Sequence, residues 1–264
     1  MRYVVVTGAA GGMGRAAVRA LADRGYFVFG LDLREGERGE QIVPLVADLT
    51  DEESVRRAAE AVAGYTDTVY AVLHFAGIYR LHSLVEMPSA DFERIVKVNL
   101  FSSFYVNKAF LPLLKRGSRV LITTSELAPL DPLPFTGVYA VTKSALDKYA
   151  FSLAMELQLL GISVSVLRAG AVKTDMLTVS TDALAAFCEE TRLYTCNAER
   201  FRAIVDRVEA RSISPERLAA CAISVIEKKR PAFAYAINRN PLLRLLACLP
   251  RRMQLWVIRL VLSH

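Results

Sequence analysis

The sequence predicts a doubly wound α/β fold, a parallel seven-stranded sheet covered by helices on both faces. Three observations predict it. Apolar, β-branched runs recur seven times; segments of helical period separate them; and the runs are continuously hydrophobic instead of alternating, as strands buried on both faces require.

The strands fall at 3–7, 26–31, 42–46, 69–75, 119–123, 163–167 and 232–237, and the helices between them at 12–24, 52–63, 90–115, 138–160 and 215–228. At 264 residues, 53% hydrophobic and 23% charged, the chain suits one large domain over 1–264 with a single extended core. Neither a repeat nor a Gly/Ser or Pro-rich linker marks a second one. The first strand begins at Tyr3, so no secretion leader is expected. Cys188, Cys196, Cys221 and Cys248 have no CxxC spacing, so they read as reduced thiols of a cytoplasmic protein, and no metal site is expected. The net charge of +6 is dispersed, without the basic stripe or reading motif of a nucleic-acid binder; it suits attraction of an anionic cofactor or lipid surface.

Two segments break the βα rhythm. Residues 175–214 lack a strand signal, and an insertion after a late strand is placed to cover a ligand as a lid or to form a surface helix pair. The tail, 241–264, is Leu, Ile, Val and Arg with Trp256. Its uncharged stretches are too short to span a bilayer, and it suits either peripheral contact with a membrane or packing on the body or on another subunit.

Directly after the first strand comes Thr7-Gly8-Ala9-Ala10-Gly11-Gly12-Met13-Gly14, opening a helix. Such a turn lets backbone approach a pyrophosphate at a helix N-terminus, where unpaired N–H groups and the dipole favour an anion. The second strand ends at Asp32, eighteen residues after Gly14, where a carboxylate accepts from the ribose hydroxyls and repels a 2′-phosphate. Arg34 partly offsets that repulsion, and the balance favours NAD over NADP. Asp48 and Leu49 end the third strand, where a short acid can meet an adenine amino group; N-capping by Thr50 or Asp51 is the competing use of this segment. Tyr139 and Lys143 stand one helical turn apart on one face. A phenol is a poor acid/base at neutral pH unless nearby positive charge, here the ammonium and a bound nicotinamide, draws its pKa down.

The ordered set Thr7-Gly8, Gly12-Met13-Gly14, Asp48, Ala76-Gly77, Asn99, Ser125, Tyr139 with Lys143, and Arg168-Ala169-Gly170 with Thr174 resembles the single-domain short-chain dehydrogenase/reductases over most of residues 1–180. The resemblance implies a Rossmann-like sheet and an NAD-linked oxidoreductase. Ser125 would hydrogen-bond the substrate oxygen, Tyr139 would exchange the proton, and Lys143 would hold the nicotinamide ribose and lower the Tyr139 pKa. Asn99 would hold a water of the proton relay, while Val172 and Thr174 would meet the nicotinamide amide. It also implies a homodimer or homotetramer. Three features depart from the family pattern: His74 and Phe75 replace two asparagines, Ala169 replaces a proline, and Ser125 precedes Tyr139 by fourteen residues, one more than is common.

Expected pocket residues are Leu127, Leu133, Phe135, Val138, Ala171, Met176, Leu177 and Phe187. An apolar wall with one polar focus suits an apolar alcohol or ketone such as a steroid, retinoid or other lipid, and the stretch from Pro134 to Tyr139 with the apolar tail is similar to hydroxysteroid and retinol dehydrogenases. Reduction of a carrier-linked or sugar carbonyl, and a non-catalytic dinucleotide-binding regulator, are the competing readings. Retention of Ser125, Tyr139 and Lys143 argues against the regulator.

Overall fold

A computed structural model describes residues 1–209 and 211–263, with the side chains of 175–180, 208 and 209 left aside. The strands are β1 (Arg2–Thr7), β2 (Tyr26–Asp32), β3 (Ile42–Val46), β4 (Val69–His74), β5 (Leu114–Ser125), β6 (Ser163–Ala169) and β7 (Ala234–Ile237). They form one sheet in the order β3-β2-β1-β4-β5-β6-β7, and every pairing is parallel. The order reverses between β1 and β4, which opens a crevice at their carboxyl ends, the place where doubly wound sheets bind ligands.

Side-chain alternation along the central strands makes two cores. Val4 and Val6 of β1 pack with α1 (Gly12–Ala22) and α8 (Pro215–Ile226) on one face. Val5 joins Phe29, Val55, Phe110 and Leu146 on the other, beneath α2 (Glu52–Ala63), α4 (Ser102–Phe110) and α5 (Gly137–Leu157). Burial on both faces explains why the strands read as unbroken apolar runs.

The helix expected over 90–115 is instead three elements: α3 (Ser89–Val96), a π-helical turn over Lys97–Phe101, and α4. Pro112 lies in the 3₁₀ turn after α4, and the chain is already extended at Leu114, so β5 starts five residues before the expected strand. A register shift and Gly117 at φ 95° accommodate that early start.

The segment after β6 holds α6 (Asp175–Glu190) and α7 (Thr195–Glu209). Leu184, Phe187, Phe201 and Val205 from this pair form a third cluster with Leu81, Phe135 and Leu262. The tail is two helices, α9 (Pro241–Ala247) and α10 (Arg251–Leu262), separated at Pro250. Its inner side closes on the body: Leu262 is buried, and Asp131 accepts from Arg251 and Gln254 at 3.3 and 3.1 Å. The outer side exposes Leu255, Trp256 and Leu260. Among the described residues no helix is long and apolar enough to cross a membrane, and no group of three or more His, Cys, Asp or Glu is arranged to hold a metal.

Candidate active site

The glycine loop sits between β1 and α1 at the crevice. Gly8 has φ 69°, and a Cβ there would stand 2.7 Å from the Ala76 nitrogen, so the turn and its approach to the 76–77 segment require glycine. A Cβ on Gly12 would stand 2.8 Å from Thr174 Cγ2. The loop is thus roofed by Thr174, and the Ala76 amide donates to Thr7 Oγ1 at 3.3 Å, which ties it to the first strand. Met13 lines the adjoining cavity, and Gly14 packs the helix start against Gly8. At the end of β2, Asp32 accepts from the Ala10 amide at 3.1 Å and from the Arg34 amide at 3.1 Å, so its carboxylate lies beside the loop. Asp48 accepts from the Thr50 amide through Oδ1 at 2.8 Å, and Leu49 packs on the core beneath. Capping of α2 falls to Asp51, which accepts from Glu53 and Ser54. A bare backbone cradle at a helix N-terminus, closed by Thr174 and flanked by Asp32, fits a dinucleotide pyrophosphate with its ribose.

Across the crevice, α5 presents Tyr139 and Lys143 beneath the end of β5. Tyr139 is half-buried, shares a hydrogen bond with Ser125, and stacks edge-on with Tyr79 at 4.6 Å between ring centroids. Lys143 Nζ donates to the Thr123 carbonyl at 3.3 Å and lies 5.7 Å from the Tyr139 ring centroid. The cation was expected to draw the phenol pKa down. Among the protein's own groups the balance runs the other way: burial pushes Tyr139 up to about 12, the Ser125 hydrogen bond pulls it down, and the Glu126 carboxylate pushes it up again. Burial likewise lowers Lys143 to about 8. Desolvation is the largest influence on the phenol, and the ammonium, 5.7 Å from the ring centroid, does not offset it.

Asn99 lies in the π turn instead of a regular helix. Such turns widen the backbone ladder and are frequent at functional sites. Its amide accepts from Ile78 N at 2.8 Å and donates to the Ile78 carbonyl and Thr142 Oγ1 at 3.0 and 3.1 Å, which fixes the strand-end segment carrying Ala76 and Gly77. Val172 is buried and bridges to Ile213, which sets the turn leading to Thr174.

Tyr139, Ser125 and Lys143 line a cavity of about 260 Å³. Leu127, Leu133 and Ala171 line it as expected. Phe135, Val138 and Phe187 do not: Val138 is buried away from it, and Phe135 and Phe187 join the third cluster, Phe135 from a positive φ of 62°. The Met176 and Leu177 side chains fall outside the described residues. The wall is completed by Phe201, Ile204 and Val205 of α7 and by Leu242 and Leu243 of α9. No local signal could have announced them, since their helices reach the cavity only through tertiary packing.

Two polar groups escaped the sequence reading. Asp147, one turn beyond Lys143, accepts from Arg168 at 2.9 and 2.8 Å and from Thr124 Oγ1 at 3.3 Å, so α5 is fastened to β5 and β6. The spacing 139, 143, 147 along one helix face carried that signal. Glu126 is buried beside Ser125 and also lines the cavity. His74, by contrast, is structural in its contacts: its Nε2 meets Asn107 Oδ1 at 3.0 Å, Asn107 reaches the Tyr149 hydroxyl at 3.1 Å, and burial lowers the imidazole to about 4.

Fold and crevice define a nucleotide-binding α/β oxidoreductase. A family profile described as short chain dehydrogenase matches residues 2–185, and the chain belongs to that family. It is 24% identical to the 3-ketodihydrosphingosine reductase of Bacteroides thetaiotaomicron over 98% of this chain and 97% of that protein. It is 31% identical to the estradiol 17-beta-dehydrogenase 2 of Mus musculus over 66% of this chain, but spans only 49% of that protein. Among solved structures, the 3-ketoacyl-(acyl-carrier-protein) reductase of Brucella melitensis complexed with NADH superposes with a TM-score of 0.73 at 21% identity, covering 89% of this chain and 96% of the other. The aldohexose dehydrogenase of Thermoplasma acidophilum superposes at 0.74 and 18% identity, over 91% and 95%. The chain is therefore an oxidoreductase of the family that acts on carbonyl and alcohol groups with a nicotinamide dinucleotide.

Proposed function

We propose that the chain moves a hydride between NAD(H) and a secondary alcohol or ketone carried on an apolar body, with Tyr139 as the proton donor and acceptor. One observation carries this reading: the Tyr139 hydroxyl, bonded to Ser125, lies on a cavity whose wall includes Leu127, Leu133, Phe201, Ile204, Leu242 and Leu243. Ser125 orients and polarises the substrate oxygen, and Tyr139 takes or gives the proton. Lys143, through Nζ, holds a ribose hydroxyl and returns the proton toward solvent. Asn99 Oδ1 and Lys143 Nζ stand 3.3 and 3.4 Å from the place where a Cβ on Gly77 would be, so the missing side chain leaves space for a relaying water between them. The bound nicotinamide supplies or accepts the hydride, and its positive ring adds the charge that Lys143 alone does not bring to the phenol.

Thr7, Gly8, Gly12, Met13 and Gly14 hold the pyrophosphate; Asp48 and Leu49 meet the adenine; Ala76, Gly77, Val172 and Thr174 border the nicotinamide half. The Asp32 carboxylate beside the loop supports NAD over NADP. Two relatives named for 3-ketodihydrosphingosine and for estradiol support an apolar substrate. The helices of 175–214 act as the lid, and the outer face of the tail, with Arg244, Arg252 and Arg259 among exposed Leu242, Leu255 and Trp256, suits contact with an anionic lipid surface.

The test follows nicotinamide absorbance over long-chain, steroid and retinoid alcohols with NAD⁺ or NADP⁺, with sugar alcohols as controls. Turnover of the apolar secondary alcohols, faster with NAD⁺, is expected. Turnover confined to the sugar alcohols would overturn the reading.

A further inference from the structure

The cavity wall contains one acidic side chain that the proton transfer does not use. Glu126 follows Ser125 directly, and its amide donates to the Ala169 carbonyl at 2.9 Å, extending the β5–β6 ladder by one residue. The side chain is buried, with Oε2 accepting from the Asn240 amide at 2.6 Å. Oε1 lies against Gly170, 3.1 Å from the place where a Cβ would stand. Burial raises its pKa, the Asn240 hydrogen bond and the more distant Arg239 lower it, and among the described residues no lysine or arginine stands at ion-pair distance from it.

A role in holding α9 does not explain this residue. The Asn240 amide needs only a neutral acceptor, which a glutamine would provide, whereas a carboxylate beside Tyr139 opposes formation of the phenolate the reaction needs. A buried carboxylate is costly unless a cation or several donors meet it. A cationic group on the substrate would meet it, and would at the same time cancel its effect on Tyr139.

Resting on the proposed oxidation of apolar secondary alcohols, we propose that Glu126 forms a subsite for an ammonium group on the carbon next to the reacting carbinol or carbonyl. The substrate class is then a 2-amino-3-hydroxyalkane or its ketone, with the alkyl chain along Leu127, Phe201, Leu242 and Leu243 and the ammonium on Glu126.

The experiment compares NAD⁺-linked oxidation of 2-aminododecan-3-ol and dodecan-3-ol by the full chain and by Glu126→Gln. The readout is the ratio of the two kcat/KM values, in which any general change at Tyr139 or in α9 cancels. The wild type is expected to favour the amino alcohol by about tenfold or more, as a charge-assisted hydrogen bond allows, and Glu126→Gln to bring the ratio near one. The wild-type ratio alone is a test that needs no variant to fold. A wild-type ratio near one, or an unchanged ratio in Glu126→Gln, overturns the subsite while leaving the apolar-alcohol reading in place. Absence of turnover with both alcohols overturns that reading and the subsite together.

Discussion

At the scale of single residues, environment decides what each ionisable group does. Asp32 is held by two backbone amides beside the glycine loop, which fixes its carboxylate at the place the proposed cofactor reading gives to the ribose. Asp32→Ala should raise the relative kcat/KM for NADP⁺ by tenfold or more; an unchanged preference would place the ribose contact elsewhere. His74 shows the opposite use of burial. Its folded pKa, about 4, lies below the ordinary value of 6.5, so between those limits the unfolded chain binds more protons. The stabilisation is therefore complete above pH 6.5 and is lost as pH falls toward 4. Between pH 7.5 and pH 5 the wild type should lose about 2 kcal/mol more unfolding free energy than His74→Asn. Urea titrations at the two values check this, and equal losses would show that the imidazole is not held neutral.

At the scale of elements, the site depends on how firmly α5 is seated. Arg168 from β6 grips Asp147 with two hydrogen bonds, four residues past Lys143. Asp147→Ala should cost about 2 to 3 kcal/mol, somewhat less than for a fully buried pair because Arg168 keeps partial access to solvent. Thermal unfolding measures it, and an unchanged midpoint would contradict the fastening role. Much of this scale was legible in the sequence. Tyr139 and Lys143 show themselves by one-turn spacing, Ser125 by its place at a strand end, and the loop by glycines between strand and helix. The π turn around Asn99 was not legible, because residues 90–110 contain no glycine or proline to mark a change of helical pitch. Nor was the fate of Phe135, Val138 and Phe187. Apolarity places such residues inside, but only packing decides whether they face a cavity or a core, and in this fold Phe201 and Leu243 take the wall instead.

At the scale of the whole molecule, an apolar surface besides that of the tail is left without cover on the single chain. Phe101 in the π turn, Phe104 on α4, and Val141, Phe151 and Met155 on α5 are between 42% and 55% exposed, on the elements that carry Asn99 and Tyr139. Pairing these faces in a homodimer or homotetramer would bury them and brace the site from behind. Sedimentation should find an oligomer that Phe104→Glu with Phe151→Glu dissociates; a monomeric wild type would contradict this. The fold as a whole brings a glycine loop and a half-buried phenol to the two sides of one crevice, and the account stands on that phenol transferring the proton. Tyr139→Phe removes one hydroxyl and little volume, so single-turnover oxidation of the best alcohol, read beside NAD⁺ titration, tests it most directly. NAD⁺ affinity within about threefold of wild type, with the hydride-transfer rate reduced a hundredfold or more, is the predicted result. A rate within a few-fold of wild type would contradict it.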